Sequence, residues 1–367
     1  MRTLLTVAGI LLISLVLVDV LKTTMAKGPG IITDRLGRWI WRLLARTGSG
    51  SQPNWVLVQG GLFILLVAVV VWITLLWTGW TLLFLGSEQA VVNAQTKLPA
   101  TIADRIYFAG YTLFTLGLGD FQPMGTFWRI ATSVAALSGL FVVTFSITYI
   151  VPVMEAAIER RHLAIYIHGL GKNTEDIILN MWDQEGCDVL EQHLVGLAPS
   201  ISRLAQQHLT YPVLHYFHGG SREEAFAPNL AALDEALTVM EHGLNAECVA
   251  YAAYRPVRAA LAELLKTLDS RFIDQAGEPP PIVRLKKLSS GGVPVTEEEI
   301  FRKAMEDVKE RRQLLRALVL SEGWSWQDVR TEEDEGDLQD TAEQDGQAGS
   351  QDDTEDVQEE EARDAPN

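Results

Sequence analysis

The sequence predicts an α-helical membrane protein with a mainly helical soluble domain and a disordered acidic tail. Three observations support this fold class: long apolar stretches within the first 160 residues, helical spacing of apolar residues over 161–330, and dense acidic charge over 331–367. A bilayer core about 30 Å thick needs about 20 helical residues, and each apolar stretch has roughly that length or more.

The first segment, residues 1–21, is apolar from residue 3 onward except for Asp19 and a few hydroxyls. A cleaved signal peptide is the alternative interpretation of such a segment. However, only Arg2 supplies a basic start, and no small-x-small cleavage pattern follows at close range. We therefore expect a retained membrane helix.

Residues 22–54 form a basic segment, in which the stretch ITDRLGRWIWRLLAR places Arg at three- and four-residue steps. This spacing predicts a basic amphipathic helix that lies in the membrane interface with its arginines toward anionic headgroups. A connecting helix packed on the soluble domain is the alternative. The excess of basic residues predicts a cytoplasmic location. The charged residues are Lys22, Lys27, Arg35, Arg38, Arg42 and Arg46, against Asp34.

Residues 55–85 contain no charged residue and predict an outer membrane helix. Trp55 marks one end, and three further tryptophans cluster toward the other, as aromatic residues do at membrane interfaces. The polar residues 86–100 predict a loop on the extracellular side.

A short helix is predicted over 101–114, where Pro99 precedes a capping-box-like pair, Thr101 and Asp104. It is too short to span the bilayer, and it runs directly into residues 115–120, TLGLGD. Glycine reaches left-handed dihedrals without a Cβ penalty, so the backbone here can reorient its carbonyls. Because membranes tolerate irregular backbone only inside protein or along a water-filled path, this segment is a candidate pore lining.

The third apolar stretch predicts an inner helix over 125–159, about 50 Å long and therefore longer than the bilayer is thick. Gly139 allows this helix to bend, and Pro152 removes an internal hydrogen bond near its lower end. Pro152 alternatively marks only the membrane boundary. A water-facing side is predicted from the hydroxylated residues Ser138, Thr144, Ser146 and Thr148.

The segment TLGLGD resembles the selectivity filter of potassium channels, whose pattern TVGYG presents carbonyl oxygens in place of the ion's hydration shell. Gly139 lies 19 residues after Asp120, where two-helix potassium channels carry an inner-helix glycine. The resemblance covers about residues 55–160; the alternative is an irregular loop in another kind of membrane protein. The matching residues are Thr115, Gly117, Gly119 and Asp120, with Leu116 in place of Val and Leu118 in place of Tyr.

This resemblance implies a two-transmembrane-helix, pore-loop potassium channel with an extra N-terminal membrane helix. The fold would be a pore-loop tetrameric cation channel, in which four identical chains surround one pore that conducts K+ passively. The implied roles are filter carbonyls from Thr115, Leu116, Gly117, Leu118 and Gly119; filter support from Tyr111 and Asp120; gating at Gly139 and Pro152; and an acidic inner mouth at Glu155 and Glu159.

The filter position also fixes the expected topology. The N-terminus and the filter lie outside, and residues 22–54 and everything after the inner helix lie in the cytoplasm. The basic segment falls on the cytoplasmic side without having been used to place the filter. We therefore expect a multi-pass protein of the cell (inner) membrane.

Residues 161–330 predict a mainly helical cytoplasmic domain, with HLAIYIHGLG at its start as a short strand and turn. Loops are predicted near Pro199, at Gly219–Gly220 and at the Pro279–Pro281 run. Helices are predicted over 188–209, 228–250, 255–273 and 297–320, the last after a linker over 276–296.

We find no motif for catalysis, for an organic cofactor or for nucleic-acid binding in this domain. The histidines at 208, 215 and 218 lack the partners of a metal site, so we expect them to be partly buried and no metal other than permeating K+. Gly-x-Ser-x-Gly, phosphate-loop and Gly-x-Gly-x-x-Gly patterns are absent from the sequence.

The tail, residues 331–367, holds sixteen acidic residues and one Arg, so it accounts for −15 of the net charge of −17. Such a composition predicts disorder and a solvating role for the tail. Binding of an unidentified regulator to this tail or to the soluble domain is the alternative. Cys187 and Cys248 do not form a disulfide framework. Two alternatives to a potassium channel stay open: a non-selective cation channel, because Leu118 replaces Tyr, and a non-conducting membrane sensor.

Overall fold

A computed structural model describes residues 1–25, 28–45, 58–183, 188–245, 251–269 and 277–329. The described elements are almost all helical, with one two-stranded antiparallel ladder. The predictions for the acidic tail, for Trp55 and for Cys187 and Cys248 lie outside the described residues. The helices are α1 (Arg2–Met25), α2 (Ile31–Ala45), α3 (Gly60–Leu85), α4 (Ile102–Leu113), α5 (Thr126–Leu170), α6 (Thr174–Met181), α7 (Asp188–Thr210), α8 (Phe226–His242), α9 (Tyr251–Asp269), α10 (Lys286–Ser290), α11 (Glu298–Asp307) and α12 (Lys309–Ser321); the strands are β1 (Val92–Asn93) and β2 (Phe121–Gln122).

Among the described residues, three helices are long and apolar enough to cross a membrane: α1, α3 and α5. They correspond to the predicted N-terminal, outer and inner helices. α4 corresponds to the predicted short helix over 101–114. The fold class expected from the sequence, a helical membrane part followed by a mainly helical domain, is confirmed.

Glycines allow α1 to pack closely along α3. A Cβ added to Gly9 would lie 2.7 Å from the carbonyl oxygen of Gly79, and a Cβ added to Gly79 would lie 2.8 Å from Ile13. Small residues at such a crossing let two backbones approach and gain dispersion contacts, which is a major source of helix association in lipid. α1 thus packs closely against a second candidate membrane helix, and its retention in the mature protein stays a prediction.

Asp19, the charged residue in the first apolar stretch, caps the neighbouring helix α2. Its carboxylate accepts the backbone N–H of Ile32 at 2.7 Å and the hydroxyl of Thr33 at 2.8 Å. The indole N–H of Trp72 on α3 donates to the same carboxylate at 3.0 Å. The first N–H groups of a helix have no partner within it, so an acceptor here stabilises both the helix start and the turn from α1.

The helix α5 continues well beyond the predicted inner helix over 125–159. Its buried residues recur every three or four positions from Ala135 in the membrane part to Leu170 in the soluble domain. The prediction of a strand and turn over 162–171 is therefore wrong, because residues 162–170 are helical. The alternating apolar residues of this stretch resembled a strand, but burial of Leu163, Ala164 and Ile167 on one side keeps it helical.

The C-terminal domain, formed by α6–α12 and the end of α5, is arranged around α8. Every residue from Phe226 to Val239 in α8 is buried. Two of these residues are acidic, and arginines neutralise both. Asp234 pairs with Arg258 at 3.1 Å, and Glu235 accepts from Nε and Nη2 of Arg312 at 2.8 and 3.0 Å.

Two further predictions for this domain need correction. Pro199 does not mark a loop, because it lies inside α7, whose buried leucines pack against α9 on both sides of the proline. The predicted helix over 297–320 is two helices, α11 and α12, that meet at Val308. The loop at Gly219–Gly220 is confirmed.

Candidate functional site: the glycine segment between α4 and α5

The N-terminus of the short helix α4 is capped. The hydroxyl of Thr101 accepts the backbone N–H of Asp104 at 3.3 Å, and the Asp104 carboxylate accepts the backbone N–H of Thr101 at 2.9 Å. This reciprocal pair is the capping box expected from the sequence.

Arg105 anchors the same helix from its buried side. Its guanidinium donates to the carbonyl oxygens of Phe84 and Ser87, both at 2.6 Å, and of Ala100 and Glu88, both at 3.0 Å. These contacts tie α4 to the end of α3 and to the loop that follows it. Sequence reasoning missed this role, because a single arginine in a short helix carries no pattern.

The backbone after α4 alternates between two dihedral regions. Thr115, Gly117 and Gly119 have φ values of +56°, +58° and +83°, and Leu116 and Leu118 between them have negative φ. Alternation of right- and left-handed dihedrals turns successive peptide groups so that like atoms point to one side. The glycines adopt these angles freely, whereas Thr115 is a β-branched residue in a strained conformation of the kind that clusters at functional sites.

The amide groups at the start of this segment bond back to α4. The backbone N–H of Thr115 donates to the carbonyl oxygen of Thr112 at 3.0 Å, and that of Leu116 donates to Tyr111 at 2.8 Å. All residues from 114 to 120 are exposed in a single chain, whereas Phe108 to Leu113 are buried. The buried end of α4 therefore holds the start of an exposed, glycine-containing segment.

The end of the segment is held by a small ladder. β2, which begins at Phe121, pairs with β1, and the backbone N–H of Ala94 donates to the carbonyl oxygen of Asp120 at 2.9 Å. The hydroxyl of Tyr111 donates to the carbonyl oxygen of Phe121 at 2.8 Å. Tyr111 thus supports the backbone just beyond the segment, while the exposed Asp120 carboxylate accepts its neighbour's N–H at 3.1 Å.

Comparison with known proteins identifies this part of the chain. A family model described as "Ion channel" matches residues 62–156, which contain α4, the glycine segment and the upper two-thirds of α5. The chain is also 33% identical, over 329 residues, to the uncharacterized membrane protein YdjJ of Bacillus subtilis (strain 168); the alignment covers 87% of this chain and 94% of that protein. No solved structure matches the chain. The chain belongs to the two-helix, pore-loop ion channel family.

In this ion channel, Gly139 has a packing role that the sequence did not reveal. A Cβ added at residue 139 would lie 2.2 Å from the carbonyl oxygen of Leu113, the last residue of α4. Glycine is needed there because α5 presses directly against the end of the short helix. α5 is continuous through this position, so the hinge role of Gly139 stays a prediction.

The expected water-facing side of the inner helix is partly wrong. Ser138 and Ser146 are buried within the chain, and Ser138 accepts the indole N–H of Trp80 at 2.9 Å. Thr144 and Thr148 lie on the exposed side, as do Leu140 and Ile147. The hydroxyls at 138 and 146 therefore serve helix packing, and only those at 144 and 148 face outward from the chain.

The predicted gate and inner mouth lie where α5 leaves the membrane part. Pro152 is inside α5, and the helix continues beyond it. Glu155 is exposed. Glu159 instead contacts α7, where its carboxylate pairs with Arg203 at 3.1 Å and accepts from Gln207 at 2.6 Å. Of the two glutamates, Glu155 is the better candidate for the acidic inner mouth.

The three histidines that were considered as metal ligands are all buried: His208, His215 and His218. Burial and the positive charge of Arg160 lower the pKa of both His208 and His218 to about 3. Within the described residues, no cluster of three His, Cys, Asp or Glu side chains is arranged to hold a metal ion.

Proposed function

We propose that this ion channel is a potassium-selective channel rather than an enzyme, and that four copies of the chain form one pore. The proposal rests mainly on the alternating backbone of Thr115–Gly119, held in the membrane part by a short helix on one side and by β2 on the other. Carbonyls turned to one side by such alternation would replace the hydration shell of K+.

A single chain cannot enclose an ion with this segment. The exposure of residues 114–120 supports an arrangement in which four such segments face one axis and cover each other. The carbonyl end of α4 would point toward the same axis, where its partial negative charge favours a cation below the filter. Asp120 and Tyr111 would hold the outer mouth.

The C-terminal domain is proposed to lie in the cytoplasm and to control the gate, with the channel in the cell (inner) membrane. The basic helix α2 supports this orientation, because Lys and Arg are enriched on the cytoplasmic side. α5 supports the coupling, because it begins at Thr126, shortly after the glycine segment, and runs without a break into the domain. A regulator that moves the domain would therefore move Pro152 and Glu155.

A non-selective cation channel is the second candidate, and Leu118 favours it. Leu118 is 56% exposed, and its side chain cannot donate a hydrogen bond to a neighbouring helix. Tyr111, the nearby donor, bonds to Phe121 instead. The filter wall would then depend on packing between chains, which holds the carbonyl ring less firmly around an ion.

The deciding experiment is the reversal potential of the purified full-length protein in planar bilayers, with opposed K+ and Na+ gradients. We expect a value near the potassium equilibrium potential. Robust current that reverses near zero would instead establish the non-selective channel. If no current is seen, K+ binding measured by calorimetry on the purified protein decides, because a closed channel still binds K+ and a non-conducting sensor does not.

The matched variants are Gly117→Ala and Gly196→Ala. An L-residue at φ +58° costs about 1–2 kcal/mol and would disturb the carbonyl ring, so Gly117→Ala should abolish current while a native mass spectrum still shows four chains. Gly196 lies on α7, and a Cβ added there would have no neighbouring atom within 4 Å, so its alanine variant should conduct normally. Unchanged current in Gly117→Ala would disprove the filter assignment.

A further inference from the structure

A cavity of about 580 Å³ lies at the corner between α1 and α2. Its wall includes Lys22 at the end of α1, the backbone of Gly28–Gly30, and Arg35 and Arg38 on α2. The remaining wall comes from other parts of the chain, including Tyr149 on α5. The cavity thus joins the N-terminal helices to the inner helix.

The cavity is rich in positive charge. Lys22, Arg35 and Arg38 line it, and Asp34 is the single acidic residue among the described residues of its wall. Asp34 is bound to Arg38 at 2.6 Å. Among the described residues, Arg35 forms no ion pair, and it is exposed. A ligand with a negative charge would therefore find at least one arginine without a carboxylate partner.

An apolar groove of about 670 Å³ adjoins this cavity. Leu15 on α1 forms one side, and Leu36 and Trp39 on α2 form the other. Arg35 and Arg38 line both the cavity and the groove, so they stand where the two spaces meet. Trp39 is 61% exposed, although it lies beside a membrane helix.

This pairing of charge and apolar surface matches one class of ligand. Leu15, on one side of the groove, belongs to α1, which is apolar enough to cross a membrane, so hydrocarbon is the expected neighbour of Leu15 and Trp39. The basic cavity lies at the end of that helix, and the end of a helix that crosses a membrane is where lipid phosphates are expected. A soluble anion would not fill the groove. A zwitterionic lipid would bring its own positive charge to a cavity that is already lined by Lys22, Arg35 and Arg38.

We infer that the corner between α1 and α2 is a binding site for an anionic phospholipid. The phosphate binds Arg35 and Lys22. Arg38, which pairs with Asp34, forms the side of the site next to Asp34. An acyl chain lies along Leu15, Leu36 and Trp39. This inference does not depend on which ion the channel conducts.

The site is connected to the gate region. Tyr149 in its wall belongs to α5, three residues before Pro152. The turn Pro212–Tyr216 supplies another part of the wall and belongs to the C-terminal domain. The rings of Trp41 on α2 and Tyr216 lie 5.3 Å apart, so α2 also contacts this turn directly. A bound lipid would touch α2, the inner helix and the domain together.

Native mass spectrometry of the full-length protein in detergent tests the inference. The probes are phosphatidylglycerol and phosphatidylcholine with identical acyl chains. We expect the wild type to retain phosphatidylglycerol at least fivefold more than phosphatidylcholine, and Arg35→Gln to lose that preference. Arg35 is exposed and outside any described ion pair, so this variant should fold normally.

Two further variants separate this site from general attraction of lipid to charge. Arg129→Gln removes an exposed arginine near the start of α5, far along the helix from Tyr149, and should keep the preference for phosphatidylglycerol. Trp39→Ser should weaken retention of both lipids, because it removes part of the groove. Equal retention in wild type and Arg35→Gln, or an equal loss in Arg129→Gln, would overturn the inference.

Competition distinguishes a lipid from a free phosphate. Inorganic phosphate and glycerol phosphate at millimolar concentration should leave phosphatidylglycerol bound, because neither fills the apolar groove. Complete displacement by either would show that the cavity is a site for small soluble phosphates, and the assignment to a lipid would be wrong.

Discussion

Arg160 on α5 and Glu322 just after α12 form a buried ion pair between residues that are 162 positions apart in the chain. Arg160 also donates to the carbonyl oxygen of Phe217, and its guanidinium lies 4.7 Å from the centre of the Phe226 ring. Glu322 accepts the backbone N–H of Ala227, at the start of α8, at 3.2 Å. The inner helix is thereby fastened to the centre of the C-terminal domain.

Replacement of Arg160 by Met should destabilise this domain by about 3–5 kcal/mol, because Glu322 would stay buried without its partner. The measurement is a urea titration of the purified channel, followed by intrinsic fluorescence. The double variant Arg160→Met with Glu322→Met should be more stable than either single variant, since it buries no unpaired charge.

The control for this prediction is the less buried pair formed by Arg203 on α7 and Glu159 on α5. The side chain of Arg203 is 68% exposed, so its replacement by Met should cost no more than about 1 kcal/mol. A similar loss of stability in the Arg160 and Arg203 variants would contradict the role assigned to the buried pair.

Acidification should destabilise the same region, because His208 and His218 have their pKa lowered to about 3 by burial and by Arg160. In the unfolded chain their pKa is about 6.5. Above that pH both states are neutral and stability is independent of these residues. As the pH falls below about 6.5, only the unfolded state takes up protons, so stability falls by up to about 1.4 kcal/mol per pH unit for each His.

Urea titrations between pH 7.5 and pH 5 measure this slope. A double variant, His208→Gln with His218→Gln, should show a clearly shallower fall in the free energy of unfolding. Equal slopes in wild type and variant would show that other groups dominate the acid response.

The sequence predicted the membrane helices because each needs only a long apolar run, and it located the glycine segment because two glycines alternate beside a short capped helix. It did not predict how these parts are fastened. Arg105 and Arg160 act through single long-range contacts with carbonyl oxygens and a carboxylate. Such contacts leave no periodic signal in the chain.

Errors in the prediction arose where local preference and packing conflict. Pro199 disfavours a helix interior, yet α7 continues through it because its apolar face is buried against α9. The alternating residues of 162–170 favour a strand locally, but they extend a helix that is already buried on one side. In the sequence Asp19 is only a charge in an apolar stretch, and the fold shows that it caps α2.

Asp19→Ala should loosen the start of α2, because it removes the acceptor for Ile32 and Thr33. Loss of a helix cap typically costs about 1–2 kcal/mol, which corresponds to roughly a five- to thirtyfold faster exchange of the capped amides. Hydrogen–deuterium exchange of peptides that cover residues 31–34 measures this effect. Asp34→Asn, which removes only the exposed pair with Arg38, should leave the exchange rate nearly unchanged.

Gly139→Ala separates a packing role for this glycine from a hinge role. The new Cβ would lie 2.2 Å from the carbonyl oxygen of Leu113, and neither helix backbone can yield without moving α5 away from α4. Such overpacking costs about 1–3 kcal/mol, so the unfolding temperature should fall and K+ current should be lost.

Gly169→Ala is the matched control on the same helix, because no atom lies within 4 Å of its Cβ position. Alanine there should raise helix stability by up to about 1 kcal/mol. A Gly139→Ala channel that is as stable as Gly169→Ala but opens less often would favour the hinge, because a hinge glycine is needed for movement and not for the resting contact.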